Sequence, residues 1–211
     1  MKTDALIRSL ALDAARPVVP LNWLVASAFA MGGAASVALF LAGMRLRPDF
    51  AAALSSAGFL LKVATMAALA ATGATLLVKV GRPIPRTASL KRLAVAPLLL
   101  LAAVAVELVV LPADAWHARL IGRNAPHCLA LIPFLSVAPA ASLMWALRCA
   151  APARPGLAGA IVGLTAGGIG ASLYALSCPD DSALFVATWY SFAIAFVTGA
   201  CFIAGRRCLR W

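Results

Sequence analysis

Residues 24–44, LVASAFAMGGAASVALFLAGM, run without a single charge. An α-helix rises 1.5 Å per residue, so about 20 such residues cover roughly 30 Å, the hydrocarbon thickness of a bilayer. Five further apolar runs of similar length follow, at Gly58–Val78, Leu93–Leu111, Cys128–Leu147, Gly156–Leu176 and Leu184–Ala204. The fold class read from this spacing is all-α, a polytopic membrane protein built as a bundle of six transmembrane helices at about 24–44, 58–78, 93–111, 128–147, 156–176 and 184–204.

Positive charge falls on alternate sides of these runs. Of the 18 Lys and Arg, thirteen precede the first run, separate the second from the third or the fourth from the fifth, or close the chain. Four, Arg45, Arg47, Arg119 and Arg123, fall on the other side, and Lys62 lies inside a run. By the positive-inside rule both termini are cytoplasmic and the number of spans is even. The first run is longer than a usual signal-peptide core and is read as a retained helix. In a bacterium this describes a multi-pass inner-membrane protein, N-in and C-in.

Composition agrees. An apolar fraction of 64%, 12% charged residues and a net charge of +11 are foreign to a soluble domain. Cytoplasmic loops facing anionic lipid explain the basicity, and no long basic run interleaved with aromatics points to direct nucleic-acid binding. Two regions follow: residues 1–22 as a cytoplasmic partner-binding arm, and 23–211 as the transmembrane domain.

In the arm, Thr3 suits a helix cap, Asp4 suits the positive end of the helix, and Pro17 cannot continue it. Leu6, Ile7, Leu10, Ala11 and Ala14 form one apolar stripe, with Arg8 and Arg16 on other faces. So short a helix is marginal in water unless its stripe is covered, by a membrane surface, by the bundle or by a partner protein. Pro17 and Pro20 make a stiff connector that favours a partner.

The opening MKTDALIRSLALDA, the Arg16–Pro17 step, the segment LYALSCPDDSALFVATWY at Leu173–Tyr190 and the ending GRRCLRW together resemble the NrsF family of bacterial six-helix membrane anti-sigma factors, the negative regulators of sigma F. The resemblance runs end to end, and CPDDS at Cys178–Ser182 is its most specific part. It implies an arm that captures an extracytoplasmic-function sigma factor; the stripe and the basic residues beside it, Leu6, Ile7, Arg8, Leu10, Ala14 and Arg16, are then the expected binding surface. It also implies release on a stress signal sensed at outer-side cysteines, which here are Cys128 and Cys178.

Read from the residues alone, the same two cysteines stand apart. Cys149, Cys201 and Cys208 lie toward the cytoplasmic side, whereas Cys128 opens the fourth run and Cys178 closes the fifth, on the side where disulfides persist. They lie at similar depth, but pairing is not legible from sequence. With His127, Asp180 and Asp181 nearby, a soft-metal site is a second use for the thiols, and apolar filling a third. Nothing in the sequence implies a resident cofactor.

Lys62 and Glu107 are the charges inside the runs, at matching depth near the outer side, and intramembrane charges are usually paired. A Lys62–Glu107 ion pair is therefore predicted. Gly159, Gly163 and Gly167 recur every four residues, a ridge suited to packing within the bundle or to a homo-oligomer. Pro133 and Pro139 predict a kink in the fourth helix.

Two other functional classes compete. A transporter or channel would carry polar groups or broken helices at midplane, and a membrane thiol oxidoreductase a paired CxxC. Apart from Pro133 and Pro139 the runs lack the first, the CxxC is missing, and no nucleophile–base constellation appears, so the chain is read as a non-enzyme.

Overall fold

The computed structural model describes residues 19–81, 93–150 and 152–209, together with Thr3 and Ile7. Pro20 is extended and its carbonyl accepts the first bonds of α1 (Leu21–Gly43). A short helix, α2 (Phe50–Ala53), leads into α3 (Ala57–Val80). Then come α4 (Val95–Val110), a surface helix α5 (Ala113–Ile121), α6 (Ala125–Arg148), α7 (Pro155–Ala175) and α8 (Ala183–Cys208). The first eight residues of α8 include a π-helical turn at Val186–Tyr190, a distortion frequent at functional sites. Among the described residues there are no strands.

Five helices, α1, α3, α6, α7 and α8, are long and apolar enough to cross a membrane. The predicted third span is the short one: α4 has 16 residues rather than about 20. The two ends of the bundle differ in charge. All described carboxylates, Asp49, Glu107, Asp114, Asp180 and Asp181, lie at one end, here the acidic end; Lys79, Arg148, Arg154, Arg206 and Arg207 lie at the other, the basic end.

α7 is the central post, and its small residues explain why. A Cβ at Gly159 would lie 2.2 Å from the Cys201 carbonyl oxygen, and one at Gly163 2.6 Å from Thr198 Cα. The glycine ridge thus seats α8 inside the same chain. Other faces of α7 receive α3, where Thr165 meets Gly73, and α6, where Gly170 meets Ile132 and Ser136. All these contacts run antiparallel.

α6 is helical straight through Pro133 and Pro139. Proline at 139 has no N–H for the Leu135 carbonyl. Ser36 Oγ of α1 donates to that carbonyl instead, at 2.6 Å, and Ser142 Oγ donates to Ala28 O at 2.9 Å. The lost backbone bond has become a link between helices.

The arm's Thr3 and Ile7 are helical and exposed. Leu6, Arg8, Leu10, Ala14 and Arg16 lie outside the described residues.

Candidate functional site

α7 ends at Ala175 because Pro179 follows, and the residue before a proline is driven out of the helical region. The chain tightens into a last turn in which the Ser177 and Cys178 amides both donate to the Tyr174 carbonyl, at 3.0 Å. This turn drives the Cys178 side chain into the bundle. Cys128, one turn into α6, meets it there; both thiols are buried, reduced and in direct interaction. Tyr174 and Tyr190, with ring centroids 5.9 Å apart, and Phe185 close the chamber. The Tyr190 hydroxyl is fully buried and, among the described residues, faces the thiols without a well-formed hydrogen bond.

Charge reaches this chamber through the backbone. Lys62, 2% exposed, donates to the carbonyls of Cys178 at 2.9 Å and Asp180 at 3.1 Å and pairs with Asp181 Oδ1 at 2.7 Å. Two ammonium donors go to carbonyls and the Asp181 carboxylate supplies the countercharge, which is what makes a buried charge tolerable. The other Asp181 oxygen takes Arg47 Nη1 at 2.7 Å, while Arg47 grips Asp49 in a two-pronged pair, also at 2.7 Å. Phe59 lies under both cations, 5.6 Å from Arg47 Cζ and 5.8 Å from Lys62 Nζ.

This corrects the expected Lys62–Glu107 pair. The depths match, but the 178–184 segment passes between the two groups and supplies each with nearer partners. Glu107 accepts from Ser182 Oγ at 2.7 Å and from the Leu184 amide at 3.0 Å. It therefore caps the start of α8 from a neighbouring helix. Asp180 does the same for α6, accepting from the Arg123 amide and from both the amide and side chain of Asn124 at 3.0–3.2 Å. Gly122, at φ +58°, makes that approach possible: a Cβ there would sit 2.5 Å from the Phe185 ring.

Segment 178–184 is thus the knot of the acidic end. It grips α3 through Lys62, α4 through Glu107, the start of α6 through Asp180 and the loop after α1 through Arg47. The electrostatics follow. Cys178, in the loop beyond α7, has its thiol lowered to about 7, chiefly because the Cys128 thiol donates to it, aided by the Lys62 charge and the Asp180 amide and opposed by burial. Asp49 is held below the usual carboxylate range by Arg47, whose own value Asp49 and Asp181 raise.

Of the sequence candidates, the structure brings Cys128 and Cys178 together and ties Asp180 and Asp181 around them by backbone and cation contacts. His127 points outward and is exposed. The five-residue metal set is not assembled: among the described residues no group of three or more His, Cys, Asp and Glu could hold a metal ion. Asp180 is turned to Asn124, and Asp181 to two cations. Sequence reasoning missed Arg47, Tyr174 and Tyr190. The signal for Arg47 was its rarity on a side with only four basic residues; for Tyr174 it was the four-residue spacing to Cys178.

Fold and site together define an all-helical protein with several helices apolar enough for a membrane, its acidic end organised around one loop and a buried thiol pair. The sequence model of the NrsF family, described as "Negative regulator of sigma F", matches residues 10–211, and the chain belongs to that family. It is 33% identical over 219 residues to the anti-sigma-F factor NrsF of Caulobacter vibrioides, and 31% identical over 213 residues to the probable anti-sigma-F factor NrsF of Azospira oryzae. Each alignment covers the whole of both chains. No solved structure matches the chain.

Proposed function

We propose that this chain is a membrane-bound anti-sigma factor of the bacterial inner membrane, with a regulatory rather than catalytic role. Its N-terminal arm binds an extracytoplasmic-function sigma factor and withholds it from RNA polymerase. Membership of the NrsF family carries this reading, since both full-length relatives bear the name anti-sigma-F factor. The stripe of Leu6, Ile7, Leu10 and Ala14 supplies apolar contact, and Arg8 and Arg16 supply orientation.

Six spans and an N-in, C-in orientation complete the reading. α4 is short, but its first turns share a cleft with Phe202 near the basic end of α8, while Glu107 reaches Ser182 at the acidic end. It therefore runs beside α8 between Phe202 and the Ser182 end. The acidic end then faces the periplasm and the basic end the cytoplasm.

The signal acts on Cys128 and Cys178. The lowered Cys178 thiol is the nucleophile: its thiolate attacks a peroxide oxygen, giving a sulfenic acid and releasing hydroxide, and Cys128 then displaces water to close a disulfide. A thiophilic cation bridging the two sulfurs would break the same contacts. Either event strains segment 178–184, which holds four parts of the bundle, and that strain is the route to the arm.

Co-purification from membranes of the full chain against a chain lacking residues 1–16 tests the first claim. A sigma factor that comes with the full chain and is lost with the truncation is the expected result; equal recovery with both sinks the arm's role. For the signal, peroxide should release the sigma factor from the parent chain but not from Cys178→Ser. Equal release from both would remove the thiol pair from the mechanism.

A further inference from the structure

At the basic end, away from the thiol chamber, Arg154, Gly156, Leu157, Phe202 and Arg206 line a hollow of about 340 Å³. Phe202 also lines a second cleft, about 580 Å³, which runs up the bundle between α4 on one side and α3, α7 and α8 on the other. The helical register makes the two continuous. Leu157, Ala160 and Leu164 follow one another along one face of α7, and Phe202, Gly199 and Ala195 along one face of α8. Gly199 keeps the passage open, since a Cβ there would find nothing within 4 Å.

We propose that this groove binds one anionic phospholipid, its phosphate held between Arg154 and Arg206 and one acyl chain laid along the cleft beside α4. Three observations choose this occupant. First, the cleft walls are almost wholly apolar, so water in it would lack the two to four polar partners it needs, while leaving it vacant would forfeit dispersion contacts on every wall. Hydrocarbon is the filling that fits. Second, the mouth is cationic, and among the described residues every carboxylate lies at the opposite end. Third, the Arg206 guanidinium stands 5.8 Å from the Phe202 ring, at the point where the polar hollow becomes the apolar cleft, so head and tail sites meet in register. The size of each part falls within the range of small-molecule sites. The consequence concerns α4, which buries only Ala96 and Leu100 against the protein. The acyl chain completes its packing and sets its distance from α8.

The site is assigned to the inner leaflet through the orientation proposed above, but binding itself does not depend on orientation, so the two fail separately. The test is native mass spectrometry of the full chain in mild detergent, titrated with phosphatidylglycerol, with phosphatidylcholine of the same acyl chains, or with glycerol phosphate alone. Phosphatidylglycerol should bind at least roughly tenfold more tightly than phosphatidylcholine, as expected for charge-assisted bonds from two arginines, and glycerol phosphate should not bind detectably. The Arg154→Gln/Arg206→Gln chain should lose the preference for the anionic lipid. Gly199→Leu, which fills open space and leaves the arginines in place, should weaken both lipids together. Equal binding of the two lipids by the parent chain, or an unchanged preference in the double variant, overturns the proposal. So does loss of sigma-factor capture in the double variant with lipid binding intact, which would give the arginines to an acidic protein surface.

Discussion

Cys178 is where chain direction, burial and charge converge. Its thiol stands near 7 rather than 9.0 because Cys128 donates to it and Lys62 lies close. Ionisation is favoured in the folded chain, so the stability it contributes is complete above the ordinary thiol value and is lost as pH falls through about 7. In a chain whose other cysteines except Cys128 are replaced, the rate of Cys178 modification by a small methanethiosulfonate should be half-maximal near pH 7. Cys128→Ala should move that midpoint upward; a parent midpoint near the ordinary value would refute the assignment. Lys62 gives a second test. Loss of one partner of a buried pair costs about 3–5 kcal/mol. Lys62→Met and Asp181→Asn should be coupled by more than about 1 kcal/mol in a double-mutant unfolding cycle, whereas Lys62→Met and Glu107→Gln should add to within about 0.5 kcal/mol. The reverse outcome would restore the pair read from sequence. Sequence put Lys62 and Glu107 at the right depth because helical rise is regular. It missed their partners because Asp181 and Ser182 reach them only through the fold of a loop.

At the scale of the element, apolar runs fixed the helices to within a few residues, since hydrophobic length is written directly in composition. The short α2 and α5 occupy two connections whose length of about fifteen residues admits a turn or a short surface helix, whereas the π-helical turn at Val186–Tyr190 has no signature in the apolar pattern. The glycine ridge was legible as a packing face but not as to its partner. α8 fills it, which leaves the ridge unavailable to a second copy. Gly163→Leu should drive α7 and α8 apart, because its Cβ would meet Thr198 Cα and the Val197 carbonyl, both backbone. A loss of about 2 kcal/mol or more in unfolding is expected, against little change for Gly33→Leu, where a Cβ meets nothing within 4 Å. Equal stability of the two variants would mean that α7 and α8 are not seated as described.

For the whole molecule, the separation of charge between the two ends is the property on which orientation rests, and the chain carries its own reporters. Cys149 and Cys208 are exposed at the basic end, while Cys128, Cys178 and Cys201 are buried. A membrane-impermeant maleimide applied to intact cells from which the outer membrane has been removed should leave the chain unmodified, and should label it at those two positions once the inner membrane is opened. Labelling before opening would invert the orientation. The end-to-end pattern of Lys and Arg was open to sequence reading because it needs no tertiary information, whereas the gathering of one loop onto α3, α4 and α6 depends entirely on it. One consequence lies in how the chain enters the membrane. α7, the span most enclosed by protein, has the lowest hydropathy of the five long ones. Its glycines and Thr165 suit neighbouring backbone, not lipid. A nascent chain presenting α7 alone would partition poorly, so α7 should remain beside the insertion machinery until α8 emerges, the two entering as a hairpin and taking their place against helices already in the bilayer.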